Sequence, residues 1–398
     1  MQKSCISNKG VNELLDINKK SDCMGCSACV SVCSKGAVKL VPDEEGFCYP
    51  TINESLCIGC GMCERVCPLR TSGESNTIKQ VVSAYNKDET TRMNSSSGGV
   101  FFNIATSVIK QGGVVFGAVF DEKFNVLHTF AENKEGIKKI CKSKYMQSEI
   151  GSSFIQAKNF LEAGRIVLFS GTPCQIAGLK SYLKKDYDNL FTQDIICHGV
   201  PSKAVWQEYL KQVNKNNKKI KSVNFRSKKS GWKSYGLEIE YSDNSNYYCE
   251  FTKNDYSKAF LKNLCLRPSC YECKFKKMQP YSDITLADYW GANFINPELD
   301  DDKGLSLVFI NSEKGKQLLE KEAEKLFIQE ADLEKALLHN PSLIKPAEKH
   351  KNRDKFMREF RTKPFNELVL KYGKEKKPPI IVTYYRRGKA KLKRMLFK

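Results

Sequence analysis

The 398-residue sequence predicts an α+β fold: a small cysteine-rich module, then a mixed α/β body, then a basic C-terminal tail. Three observations carry this reading. A cysteine pattern repeats before residue 70, apolar strands alternate with helical stretches from Lys79 onward, and the positive charge concentrates from residue 345 onward. The length exceeds one typical domain, and 41% hydrophobic content supplies a sizeable core, which excludes a disordered chain.

The module comes first. "CMGCSACVSVC" (Cys23 to Cys33) and "CIGCGMCERVCP" (Cys57 to Pro68) align with every cysteine offset by 34. Both read C-x2-C-x2-C-x3-C, a spacing in which one tight loop wraps three thiolates around a cubane corner and the fourth cysteine reaches the other cluster. Cys23, Cys26, Cys29 and Cys67 are therefore assigned to one 4Fe-4S cluster, and Cys57, Cys60, Cys63 and Cys33 to a second. A pair of zinc sites is the competing reading, but those usually show paired C-x2-C units rather than three cysteines in a row. Between the runs, "GAVKLVPDEEGFCYPTIN" reads as a hairpin around a turn ending in Gly46. Residues 18–72 thus resemble a bacterial two-cluster ferredoxin, after an N-terminal lead at 1–17. The one departure is Ser34, where the first run lacks the trailing proline.

Seventeen cysteines would suggest disulfides in a secreted chain, but "MQKSCISNKGVNELLD" has no apolar signal-peptide core. A reducing cytoplasm is the expected location. No window approaches the roughly 18 apolar residues of a membrane-spanning helix. The net charge of +20 looks like a nucleic-acid signature until it is divided: residues 345–398 hold 19 Lys and Arg against 5 Asp and Glu, leaving +6 for the rest. No nucleic-acid-reading motif accompanies it, and no nucleic-acid partner is expected.

From Lys79 the pattern predicts strands at 80–86, 113–120, 125–131, 165–170 and 190–197, with helices at 98–111, 151–163, 173–185 and 201–215. A strand-rich part follows in "KSVNFRS", "YGLEIEYSD" and "NYYCEFTK", read as a meander, then strands in "DITLADYW" and "LSLVFIN" and a helix from about 313. The body divides into parts at 78–160 and 161–344, before the helical or disordered tail at 345–398.

Several corners of this body carry chemistry. "NSSSGGVFF" puts Ser95, Ser96, Ser97, Gly98 and Gly99 just before an apolar helix. Hydroxyls and unpaired N–H groups there would face one point and suit a phosphate, and an ordinary N-cap with a flexible lead-in is the competing reading. "CKSKYMQS" adds Lys142, Lys144 and Tyr145, suited to phosphate and ring contacts or to a solvated basic face. Cys174, at a strand-to-helix corner in "SGTPCQIAGL", and Cys197, after another strand, lie where open α/β sheets gather ligands. Cys270 and Cys273 would complete a four-thiolate site at that edge, and a set using Cys265 is also open by spacing.

Taken together, "SSSGGVFF", "KSKYMQS", "SGTPCQIAGL", "CHGVPS", "RPSCYECKF" and "SDITLADYWG" resemble the coenzyme F-420-reducing hydrogenase beta-subunit family, flavin-containing iron-sulfur proteins. The resemblance spans about 78–312 and, with the ferredoxin module, most of the chain. It implies FAD in the α/β body, contacted by the "SSSGGVFF" and "KSKYMQS" segments. It also implies a third 4Fe-4S cluster, for which Cys174, Cys197, Cys270 and Cys273 are the matching cysteines. A nucleophilic Cys174 would need an imidazole, and the chain has four: His128, His198, His339 and His350. Asp288 and Trp290 stand near the cofactor by resemblance, or as a strand-end acid and a packing ring.

The function expected is an oxidoreductase exchanging electrons with ferredoxin or another redox protein and hydride with a small-molecule substrate. No residue is assigned a catalytic role. The rival is a non-catalytic electron-delivery module that docks on a partner enzyme. "YYRRGKAKLKRMLFK" (384–398), with Tyr385, Leu392, Met395 and Leu396 at roughly helical spacing, suggests peripheral membrane contact or a solvated tail.

Overall fold

Between the cysteine runs, alternating apolar residues form a hairpin: β1 (Val38–Pro42) pairs antiparallel with β2 (Cys48–Ile52). Asp43 closes its turn by accepting from the Glu45 and Phe47 N–H groups. The computed structural model describes residues 15, 17, 19–71, 73 and 75–374. Each cysteine run makes the same loop. Positive φ recurs at Gly25 and Gly59, and again at Ser27 and Gly61, just ahead of the short helices Ala28–Val32 and Met62–Arg65. Glycine enters that region at little cost, and the first run places a serine at its second such position.

The remaining strands are β3 (Gln80–Asn86), β4 (Val114–Phe120), β5 (Val126–Ala131), β6 (Val167–Gly171), β7 (Leu190–Ile195), β8 (Ile220–Ser227), β9 (Gly236–Tyr241), β10 (Asn246–Glu250), β11 (Ile284–Asp288), β12 (Ser306–Ile310) and β13 (Leu326–Glu330). Eight form one mixed sheet in the order β13-β3-β12-β11-β7-β6-β4-β5. Its centre, from β4 through β6 and β7 to β11, is parallel, and both flanks are antiparallel. The architecture is mixed α/β with several sheets.

Period-two alternation decides which helix covers which face. Val114, Phe116, Val167 and Phe169 pack under the helices Ser153–Glu162 and Pro173–Leu183. Val115 and Leu168 point the other way, onto Ile104, Ala105 and Val108 of the helix Val100–Lys110. Strands buried on both faces read as near-continuous apolar runs, which is why "VVF" and "VLF" were legible as strands.

The cysteine module shares the first of these cores. Met24, Cys26, Ala28 and Val66 pack with Phe154, Ile176 and Ala177. The approach is close at Gly178, where a Cβ would come within 2.9 Å of the Cys26 Cβ. Ser181 Oγ adds a hydrogen bond to the Val66 carbonyl at 2.7 Å.

β8, β9 and β10 form a separate antiparallel meander. Its core side, with Phe225, Leu237 and Ile239, packs on Trp206 and Tyr209 of the helix Lys203–Val213. The same core takes in Phe356, Met357, Phe360, Phe365, Leu368, Val369 and Tyr372. These belong to the helices Arg353–Glu359 and Phe365–Tyr372 and the turn after the first, in the stretch read from its charge as the start of a tail. Up to residue 374 that stretch is folded against the body, because a charge count averages over a helix and conceals its apolar stripe. The segment read for membrane contact lies outside the described residues. Among the described residues no helix is long and apolar enough to cross a membrane.

Candidate cofactor site

In the module, burial pushes the Cys26 thiol well above its ordinary value, and Cys29, Cys23 and Cys67 add to the push. Cys29 is driven up to about 12 by burial, then by Cys23, Cys67 and Cys63. Burial also raises Cys63, with Cys60 and Cys57 acting in the same direction. Cys33, the last cysteine of the first run, packs in one apolar cluster with Cys63 of the second. Cys67 thus lies near Cys23, Cys26 and Cys29, while Cys29 and Cys33 of the first run both pack beside Cys63 of the second. Cys60 is the exposed member of the eight.

In the body, four thiols meet at the carboxyl ends of β6 and β7. Thr172 caps the helix Pro173–Leu183 in a capping box with Gln175, and Pro173 stiffens its first position. That geometry sets Cys174 in the first turn, with its Sγ 3.1 Å from Thr172 Oγ1. Cys197 follows β7, and Lys276 Nζ donates to its carbonyl and, at 3.0 Å, to that of Ser342. The turn Pro268–Cys270 presents Cys270, whose Sγ accepts from Val200 N–H at 3.4 Å. Burial pushes Cys174, Cys197 and Cys270 up to about 12. Cys273 acts on all three in the same direction, so the four thiols share one neighbourhood.

Cys265 does not join them. It is fully buried in the core of Trp206, Phe225 and Tyr256, and the charge that reaches its thiol is that of Arg353. The histidines are also engaged elsewhere. His198 Nε2 lies 2.6 Å from Asn263 Oδ1, and His128 sits between Ser148 Oγ and the Ser170 carbonyl.

All four body cysteines line a cavity of about 840 Å³, as do Ser95, Ser96, Ser97, Gly99, Lys142, Lys144 and Tyr145. That volume falls within the range of cofactor and ligand pockets. Within the serine-glycine loop the hydroxyls have different tasks. Ser95 Oγ donates to Thr91 O and Ser97 Oγ to Leu305 O, whereas Ser96 Oγ accepts from Ser143 N–H and keeps its own proton available. Gly98 stands behind the loop, its N–H on Ser306 Oγ and its carbonyl receiving Asn86 N–H. Three hydroxyls converging on one point, as expected from the sequence, are not what the loop presents.

The basic segment also differs from its expectation. Lys144 Nζ donates to the carbonyls of Ile140, Cys141 and Lys142, closing the end of the helix Lys134–Ile140. Desolvation pulls this ammonium down to about 8. Tyr145 packs its ring among Phe225, Phe251 and Phe260. Lys142 stands at the cavity and is the segment's more accessible lysine.

Sequence reasoning missed Arg226 and Asp194 in this wall and named His128 only as one of the chain's four imidazoles. Arg226, on β8, is buried between Asp288 at 3.0 Å and the Tyr235 ring at 3.7 Å, and donates to the Ser96 carbonyl. Burial works against its charge, but Asp288 together with Tyr145 and Tyr235 outweighs it and holds the guanidinium above its ordinary value. Asp194, on β7, is pushed up to about 7 by burial, against the hydrogen bond from Thr285. His128 is pulled down to about 4 by burial, so it is neutral at neutral pH. Gln175 donates to Ser148 Oγ, which leaves that hydroxyl's proton for His128 Nδ1 and the Nε2 proton for the Ser170 carbonyl. A lone charged residue in a strand carries no local signal of such partners.

Among the described residues no group of three or more His, Cys, Asp or Glu converges as the ligand set of a single metal ion. Thiolates around a cubane bind separate iron corners and stand farther apart than ligands of one ion. The donor chemistry, eight thiols in the module and four more at a cavity, fits clusters of that kind.

Comparison with known proteins gives two domain matches. Residues 22–71 match the family model for the 4Fe-4S dicluster domain, and residues 164–336 match the model for the C-terminal region of the coenzyme F420 hydrogenase/dehydrogenase beta subunit. A curated relative is the coenzyme F420-dependent sulfite reductase of Methanocaldococcus jannaschii, 25% identical over 319 residues, or 77% of this chain. The aligned region is 46% of that protein, so the chain spans about half the length of this relative. A structure of the F420-reducing nickel-iron hydrogenase complex from Methanosarcina barkeri, derivatised with xenon, aligns with a TM-score of 0.46 at 14% identity, covering 71% of this chain and 93% of that one. The chain therefore carries a 4Fe-4S dicluster domain followed by the C-terminal domain of the coenzyme F420 hydrogenase/dehydrogenase beta-subunit family.

Proposed function

We propose that the chain is an iron-sulfur flavoprotein oxidoreductase, passing electrons between a ferredoxin-type or other redox protein and a small-molecule substrate. One observation supports this above the others: a single cavity gathers four cysteines from three separate segments together with the serine-glycine loop and the Lys142–Tyr145 segment. In this reading Cys23, Cys26, Cys29 and Cys67 hold one 4Fe-4S cluster, Cys57, Cys60, Cys63 and Cys33 a second, and Cys174, Cys197, Cys270 and Cys273 a third. Bound clusters supply one-electron transfer, and FAD converts between one- and two-electron chemistry, including hydride exchange.

The protein's own groups have defined tasks. The raised thiols give up their protons as they take iron, so loading is favoured by higher pH. Ser96 Oγ and the N-terminus of the helix Val100–Lys110 present donors to an anionic group such as a cofactor phosphate, with Lys142 at the rim. Lys228 Nζ fixes that loop by donating to the Ser97 and Arg92 carbonyls. Arg226 and Asp288 brace the wall beside that loop, where Trp290 stacks on Trp232 with ring centroids 4.9 Å apart. Asp194, near half-protonation at neutral pH, is the carboxyl able to hold or release a proton at the cavity.

The test is anaerobic purification with iron, sulfide and flavin counted per chain. About 12 iron and about one flavin support the reading. About 8 iron and no flavin would leave the body as a docking domain for electron delivery. The name of the curated relative makes coenzyme F420 the first substrate to try for reoxidation of the reduced protein.

A further inference from the structure

Among the described residues four arginines are buried: Arg92, Arg226, Arg267 and Arg353. Three of them hold an acid. Arg92 pairs with Asp301, Arg226 with Asp288 and Arg353 with Glu45. Arg267, 1% exposed, has no carboxylate among its hydrogen-bond partners in the described residues. Its Nε donates to the Cys23 carbonyl at 2.8 Å, its Nη2 to the Cys48 carbonyl at 3.0 Å and its Nη1 to Gln147 Oε1 at 3.0 Å. The Tyr49 ring lies 4.4 Å away. A guanidinium withdrawn from water without a counter-charge is costly, and carbonyl dipoles and a ring face compensate only partly.

The missing anion has an address. Nη2 also stands 3.5 Å from Cys23 Sγ, and Arg267 lies three residues before Cys270. The cysteine loop is shaped around the guanidinium: Gly25 has φ +70, and a Cβ there would come within 3.0 Å of Arg267 Nη1 and 2.6 Å of Gln147 Nε2. Gln147 in turn donates to the Met24 carbonyl at 3.0 Å, so loop, amide and guanidinium form one network between module and body.

We propose that Arg267 is the counter-cation of the cluster held by Cys23, Cys26, Cys29 and Cys67, and that it sets this centre's potential above that of the Cys57, Cys60, Cys63 and Cys33 centre. The inference rests on the proposed cluster assignment. An oxidised four-iron cluster with four thiolates carries about −2, and reduction adds one more negative charge. A fixed cation with an N–H directed at a ligand sulfur favours the more negative state, so Arg267 makes this centre the easier one to reduce. Arg267 is a positioning residue that acts through its charge, at the junction where the module meets the body's four thiols.

The experiment is a redox titration of the full chain, purified anaerobically and followed by electron paramagnetic resonance. Arg267→Gln is expected to lower one midpoint potential of the module's two clusters at unchanged iron content, and to leave the other in place. Arg267→Lys keeps the charge without the planar fork and is expected to show a smaller fall. An unmoved potential in both variants, or equal falls in both, would overturn the role. Should Arg267→Gln load less iron, the wild-type protein decides: the higher of the module's two midpoint potentials must belong to the Cys23, Cys26, Cys29 and Cys67 centre, identified by the signal that Cys67→Ser alters, and the reverse order overturns the role. A wild-type protein without a cluster signal would instead defeat the cluster assignment on which the inference stands.

Discussion

The eight cysteines of the module and the four of the body are gathered in opposite ways. The module's thiols come from residues 23–67 through two copies of one loop, each shaped by a positive φ at the same two positions. The body's thiols come from a helix start, a strand end and a distant turn. They meet because β6 and β7 pair in parallel, and because the segment ahead of Cys270 pairs with the one that follows Cys197, Pro201 bridging Leu266 and the Arg267 N–H donating to the Val200 carbonyl. The first arrangement is a property of short turns and the second of a whole sheet. A site made by turns survives damage to a distant core, whereas a site made by strand order shares the stability of the sheet.

The largest expected effect separates the two sites directly. Cys270→Ala should remove about 4 iron per chain while the module's clusters and their spectrum persist. Loss of all iron together would break the comparison. Phe169→Ala tests the sheet dependence. Phe169 is fully buried on β6, stacks on Phe116 at 5.3 Å and on the His128 ring at 5.6 Å, and packs against Phe154. Its truncation should cost about 3–5 kcal/mol, read from the urea midpoint. At intermediate urea the variant should lose body iron and flavin before module iron, and simultaneous loss would show that the shared core couples them.

This contrast also explains what the sequence made legible. The module announces itself because its spacing, its glycines and its hairpin are all local. The central strands and longer helices of the body were equally plain, since "VVF" and "VLF" are buried on both faces and the capping box in "GTPCQ" marks a helix start, whereas β13 and the short helices Lys134–Ile140, Asp255–Leu261 and Leu333–His339 were not read. Partnerships across the fold were not. Arg226 finds Asp288 across 62 positions, and Arg267 finds Cys23 across 244. Nothing beside either arginine in the chain indicates this. The serine loop misled for a related reason: Ser97 meets Leu305, and Gly98 meets Ser306, only after β12 has paired with β3. The helices Arg353–Glu359 and Phe365–Tyr372 were hidden by the lysines and arginines on their outer faces.

A smaller effect concerns pH. Asp194 is fully buried, and its carboxyl is raised to about 7 in the folded chain, so between its unfolded value and pH 7 the folded state binds more protons than the unfolded one. Stability from this group is therefore present at low pH and lost as pH rises through that window, at up to about 1.4 kcal/mol per pH unit. Asp194→Asn removes the slope and keeps an oxygen to accept from Thr285. Relative to wild type, the variant should gain in urea midpoint from pH 5 to pH 8. His128 works in the opposite sense, because its folded value near 4 lies below the unfolded one and its contribution fades as pH falls toward 4. His128→Gln should accordingly lose more stability, relative to wild type, at pH 8 than at pH 5. A gap that does not change with pH in either variant would place these groups in water rather than at the buried wall.

The smallest effect probes the corner where the two regions meet. Thr172 caps the helix that carries Cys174 at its start and, about one turn on, Gly178 against Cys26. Thr172→Ala should cost about 1 kcal/mol, the usual worth of an N-cap. It also removes the hydroxyl 3.1 Å from Cys174 Sγ. Thr172→Ser restores both the cap and the hydroxyl and should recover the urea midpoint. A body site that depends on strand order should bind iron less tightly under chelator in Thr172→Ala, because its ligand moves with the frayed helix end. The module's loops hold their own ligands and should release iron at the wild-type rate. Faster release from both sites would mean that the helix Pro173–Leu183 orders the module's loop as well, which would make the two regions one mechanical unit despite their different origins in the chain.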